Sequence, residues 1–175
     1  IIDPGTATYH DTEDSVRYNL RHGFLHNMIS VDGVDQGYLK TLLEEPLDTT
    51  WRIEEGYDLF EASYDFSDDG PQVVHTRRIV FVRPHLWLIS DTLSGEGTHR
   101  IERNFQCAAG CTVEPGESSH TITAENGAVL RMFDFGPALA AEVVKGETDY
   151  PGSTIGGGQI NSWMNGGRGW SNRVF

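Results

Sequence analysis

Val73-Val-His-Thr-Arg-Arg-Ile-Val-Phe-Val-Arg-Pro-His-Leu-Trp-Leu-Ile89 is the stretch that decides the fold class. Two runs rich in β-branched and aromatic residues, Val73 to Val82 and Leu86 to Ile89, flank Arg83-Pro84-His85. Pro84 fixes φ and offers no N–H to a central ladder, so the tripeptide reads as the turn of an antiparallel hairpin. The strand period of two places His75, Arg77, Ile79 and Phe81 on one face, and Arg78 on the other.

Outward from this hairpin the same pattern recurs. Gly56 to Phe66 alternates, with Phe60, Ala62, Tyr64 and Phe66 on one side and Leu59, Glu61, Ser63 and Asp65 on a wet one. His99 to Cys107 alternates again and is expected to expose Glu102, Asn104 and Gln106. Asn126-Gly127 joins His120–Ala124 to Ala128–Phe133 as a hairpin, with a type I′ turn expected. Leu139 to Lys145 adds a candidate strand, and Gly152 to Asn172 reads as a loop pinned by Trp163 and Trp170. Helical spacing is confined to Tyr38 to Leu47, closed by Pro46. Eight or more short strands without alternating long helices predict an all-β protein, an antiparallel β-sandwich of two large stacked sheets with few or no helices. The length of 175 residues predicts one domain over the whole chain.

The formal charge of -13 argues against nucleic acid as a partner, because phosphate binding needs a clustered basic surface. Of the 13 basic residues, 11 are Arg, whose fork grips a carboxylate through two parallel bonds. Cys107 and Cys111 are too close for a disulfide unless the chain turns sharply, and two free thiols are expected. No stretch approaches the roughly 20 apolar residues of a membrane span, and no signal peptide is visible ahead of the first strands.

Within Arg21-His-Gly-Phe-Leu-His-Asn-Met-Ile-Ser-Val-Asp-Gly33, a histidine and an asparagine interrupt what reads as a strand from Phe24 to Asp32. Its period puts Leu25, Asn27, Ile29 and Val31 on one face and His26, Met28 and Ser30 on the other. His26 is therefore expected on the side free to meet a ligand. Asn27, on the apolar side, is either a group that orients or donates, or a buried amide bonded to backbone.

Ile2-Asp-Pro-Gly-Thr6, Arg17-Tyr-Asn-Leu20, His26-Asn27, Val31-Asp-Gly-Val-Asp-Gln36, the His75-x-Arg77 strand, the following strand through Asp91, and Arg168-Gly-Trp170 occur in an order that resembles the C-terminal β-domain of the heparinase II/III-like polysaccharide lyases. The resemblance implies the β-domain of a bacterial enzyme, periplasmic or secreted, that cleaves uronic-acid polymers of the alginate or glycosaminoglycan type by β-elimination. It implies as partners an acidic polysaccharide and an N-terminal helical toroid that this chain does not contain. His26 matches the histidine that faces the cleft and is the expected catalytic contribution, with Asn27 beside it. Arg21, Tyr64 and Arg77 are the expected substrate-binding residues. Several members of the family carry zinc, and His75 matches one ligand. The position two beyond His26 is Met28, a poor zinc ligand, so of the family's zinc arrangement the resemblance leaves His75 as the expected ligand.

Such chemistry removes a proton next to a carboxylate, and the developing charge needs a cationic or hydrogen-bonding group to stabilise it. The alternative reading is a carbohydrate-binding or structural sandwich without catalysis, with Trp51, Trp163 and Trp170 as stacking faces.

Overall fold

A computed structural model describes residues 26–34, 49–66, 70–108, 110–136, 141 and 143. Nine strands lie in these segments: β1 Ile29–Val31, β2 Thr49–Ile53, β3 Tyr57–Asp65, β4 Val73–Val82, β5 Leu86–Gly95, β6 Ile101–Arg103, β7 Thr112–Glu114, β8 Ser119–Thr123 and β9 Val129–Phe133. They form three sheets, β1-β6, β2-β3-β4-β5 and β7-β8-β9, and every pairing is antiparallel. No helix occurs among the described residues, so the chain is all-β and antiparallel, as a sandwich requires. The helical spacing at 38–47, the loop at 152–172, Arg21 and the closing Arg168-Gly-Trp170 fall outside the described residues. So does the candidate strand 139–145, apart from 141 and 143. The chain divides into two compact units, residues 39–99 and the remainder.

In the 39–99 unit, β4 is the spine. It pairs along its length with β3, from Tyr57↔Val82 to Asp65↔Val74, and with β5, from Val73↔Gly95 to Val82↔Leu86. The Arg83-Pro84-His85 turn closes the second hairpin as expected, its Arg83–Pro84 peptide cis. β5 runs on to Gly95, six residues past Ile89. The polar face holds cross-strand pairs in register: Arg78 Nε donates to Glu61 Oε2 at 2.6 Å, and the Ser63 and Thr76 hydroxyls lie 2.8 Å apart. At one end Arg83 donates to the Glu54 and Glu55 carbonyls and pairs with Asp58 at 2.5 Å, tying the β2–β3 turn to the β4–β5 turn.

In the other unit, the β1 strand is three residues, not nine, and Ile29, Ser30 and Val31 are all buried. Residues past Arg103 do not present a wet face: Asn104 and Gln106 are 1% and 2% exposed. The reason is that this segment keeps running beside the chain before β1, where Asn104 N–H donates to the Met28 carbonyl at 2.8 Å. Ser30 Oγ and both amide atoms of Asn104 are buried without hydrogen-bond partners. A second polar group is fully satisfied: His120, 2% exposed, bonds Asp134 Oδ2 through Nε2 at 2.8 Å and accepts Gly116 N–H at Nδ1. Arg103 donates to the other oxygen of Asp134, joining the end of β6 to the end of β9. Cys107 and Cys111 are free thiols, and burial pushes the Cys107 thiol up from its ordinary value.

The type I′ turn expected at Asn126-Gly127 occurs in this unit at Asp32-Gly33. Asp32 and Gly33 both have positive φ, 54° and 78°, and Val31 and Val34 exchange backbone bonds across them, which is the type I′ pattern. The Asp32 carboxylate also accepts the Arg100 N–H at 2.8 Å. The β8–β9 hairpin forms as expected, but among its turn residues only Gly127 has positive φ, at 82°. Gly127 N–H donates to the Ala124 carbonyl and Ala124 N–H to Ala128, a type I turn followed by a glycine bulge. Asn126 is released from positive φ because its side chain accepts the Ala128 N–H at 3.0 Å. A Cβ at Gly127 meets nothing within 4 Å, so Gly127→Ala tests the backbone strain alone. Its expected cost is about 1 kcal/mol, read from the urea midpoint, and an unchanged midpoint contradicts this turn assignment.

Candidate functional site

Two groups of site residues emerge, one in each unit. In the 39–99 unit, antiparallel register places Tyr64 beside His75 and His75 beside Leu93, then Ala62 beside Arg77 and Arg77 beside Asp91. Directly opposed residues share a face, so Tyr64, His75, Arg77 and Asp91 come together. His75 is 5% exposed, and its Nε2–H donates to Asp91 Oδ1 at 2.8 Å. Arg77 donates to both oxygens of the same carboxylate, from Nε at 2.7 Å and Nη2 at 3.1 Å. Asp91 is the residue that spacing alone did not find. It was visible only as the end of a strand, because its role depends on register across 14 and 16 positions of sequence.

This arrangement changes what Arg77 and His75 can do. The guanidinium fork expected to take a substrate carboxylate already holds an internal one. His75 bonds Asp91 through Nε2, and in the other unit the residue two beyond His26 is Met28, whose thioether is a poor zinc ligand. Among the described residues no three His, Cys, Asp or Glu side chains form a metal-binding group. His75, Arg77 and Asp91 read as a buried polar brace of the sheet.

Burial pushes the Asp91 carboxyl up, but the hydrogen bonds from His75 and Arg77 and the guanidinium charge outweigh it, holding the pKa at about 2 against an ordinary 3.8. A depressed folded-state pKa stabilises the native state above the unfolded value and is lost as pH falls through the folded one. The brace is therefore intact above pH 3.8 and fails as pH falls toward about 2. The expected loss over that window is about 2 kcal/mol. Urea unfolding of the wild type and Asp91→Asn across this range checks it: the acid-dependent decrement belongs to the wild type, and an equal decrement in both refutes the assignment.

Further along the same face lies an open groove of about 300 Å³ lined by Trp51, Phe60, Ile79, Phe81 and Trp87, with Asp58 at its margin. Trp51 meets Phe60 edge-on at 5.5 Å, and Trp87 stacks on Phe81 at 4.3 Å. Both tryptophans stay mostly open to solvent, at 65% and 56%.

The second group is His26 and Asn27, which precede β1. They are not in the strand. Met28 N–H turns back to the His26 carbonyl at 2.9 Å, and Asn27 Oδ1 accepts the Gln106 backbone N–H at 2.7 Å. Both side chains are half-buried. The expected alternation of faces through 26 and 28 is broken by this bend, and the Asn27 side-chain oxygen is bonded to backbone. Arg21, the sixth candidate, lies outside the described residues.

These features define an all-β domain with a histidine held at a bend, and they agree with the wider comparison. Residues 1–149 match the heparinase II/III-like C-terminal family, and the chain belongs to it. No curated protein and no solved structure matches the chain. The family sets this domain in the context of polysaccharide lyases.

Proposed function

We propose that this chain is the β-domain of a polysaccharide lyase that cleaves a uronic-acid polymer of the alginate or glycosaminoglycan class by β-elimination. Its contribution is one wall of the active-site cleft, with His26 as the group that meets the substrate. An N-terminal helical domain of the complete polypeptide supplies the opposite wall and the proton-abstracting base. The observation that carries the reading is family membership over residues 1–149, joined to a half-buried His26 set outside the β1 ladder. A polar group released from the sheet is free of the strand's fixed alternation and can be aimed at a ligand. Abstraction of the proton next to the uronate carboxylate builds negative charge, and an imidazole donor lowers that barrier where it points at the developing oxyanion. The bacterial and periplasmic or secreted setting is part of the same proposal, since polymeric substrates of this kind are met outside the cytoplasm.

In the complete polypeptide, His26→Ala is expected to lower the rate of unsaturated-product formation, followed by ultraviolet absorbance, by about 100-fold or more. An unchanged rate removes His26 from the chemistry.

A second reading, carbohydrate binding without catalysis, is favoured by the aromatic groove alone. Trp51 and Trp87 offer flat faces to sugar rings, beside the Asp58–Arg83 pair. Titrating the protein with acidic oligosaccharides distinguishes it: binding lost in Trp87→Ala, with no elimination product, supports the module, and binding unaffected by that substitution excludes the groove.

A further inference from the structure

We infer that Asn27 is a positioning residue for His26, acting through its side-chain carbonyl and not through contact with substrate; the inference rests on the reading of His26 as the group that meets the substrate. The argument starts from the β1–β6 ladder. Ile29↔Arg103 and Ser30↔Glu102 are paired, and Asn104 N–H continues the ladder to the Met28 carbonyl. In an unbroken antiparallel pair the next donor, Gln106 N–H, takes the carbonyl of residue 26. That carbonyl is instead used within the chain, because Met28 N–H donates to it in a three-residue γ-turn with Asn27 at its apex. Gln106 is 2% exposed, so its N–H has no ready access to water and needs an acceptor. Asn27 Oδ1 provides it at 2.7 Å.

The side chain thus replaces the backbone carbonyl that the turn consumes. This substitution lets the chain leave the ladder at residue 27 without stranding a buried N–H. Without the carboxamide, Gln106 regains its bond by recapturing the His26 carbonyl. The γ-turn then opens, the strand lengthens by two residues, and His26 is rotated to the alternation of Met28 and Ser30. Asn27 is in this sense the latch that keeps His26 off the strand.

The test compares Asn27→Ala, Asn27→Asp and His26→Ala in the complete polypeptide, on whichever of alginate and heparan sulfate the wild type cleaves. An Asp keeps the acceptor oxygen for Gln106 N–H and replaces the amide N–H₂ with a charged oxygen that cannot donate, so it separates positioning from direct donation and preserves the bond on which local folding depends. Asn27→Ala is expected to lower kcat between about 10- and 100-fold with KM within about twofold, and Asn27→Asp to restore kcat to within about threefold of wild type. The inference is overturned if Asn27→Asp is as impaired as Asn27→Ala, which assigns the amide N–H₂ a direct role. It is also overturned if Asn27→Ala keeps wild-type kcat while His26→Ala is inactive. A fully active His26→Ala instead removes the underlying reading of His26, and the two failures are thereby distinct.

Discussion

β4 is hydrogen-bonded on both sides along its whole length, and this double pairing is the constraint on which the 39–99 unit depends. A strand held on both edges cannot slip by one residue without turning every side chain to the wrong face. The register therefore brings Asp91 to Arg77, and His75 within reach of the same carboxylate. A buried carboxylate is tolerated only when its charge and lone pairs are met, and here two donors meet it. The same register lines up Trp51 with Phe60 and Phe81 with Trp87 at the other end of the face, so one pairing scheme generates both the polar brace and the aromatic groove.

The other unit solves a different problem, which is how to end short strands without leaving backbone groups unpaired. Side chains do much of this work. Asn27 takes the Gln106 N–H, Asp32 takes the Arg100 N–H, and Asn126 takes the Ala128 N–H. Each is an amide or carboxylate short enough to fold back on nearby main chain, the property that makes Asn and Asp turn residues. His120 and Asp134 with Arg103 extend the principle to a buried ionic group between strand ends. The exceptions among the described residues are Ser30 Oγ, Arg103 Nε and both amide atoms of Asn104, buried polar atoms without a partner that represent a cost.

The sequence made five of the strands legible. β3, β4, β5, β8 and β9 show alternation or bounded β-rich runs, and Pro84 and Asn126-Gly127 mark their turns. Two short strands, β2 and β7, gave no such signal, because three to five residues carry little periodicity and no turn marker like Asn126-Gly127 delimits them. The apparent nine-residue strand through His26 was misread for a related reason: alternation describes side-chain character and is blind to a carbonyl captured two residues away. Likewise the polar pattern of Asn104 and Gln106 suggested a wet face, whereas neighbouring chain covers both.

By itself the sequence determined the all-β antiparallel class, the central hairpin, the family and the residue types from which a site is built, since these depend on local pattern and motif order. Tertiary structure alone decided what those residues do. Arg77 and His75 are committed to Asp91 because register joins positions far apart in the chain. Asn27 serves a backbone N–H because the chain that continues past β6 runs beside it. Which partner satisfies a polar group is set by proximity across strands, and local sequence does not encode that proximity.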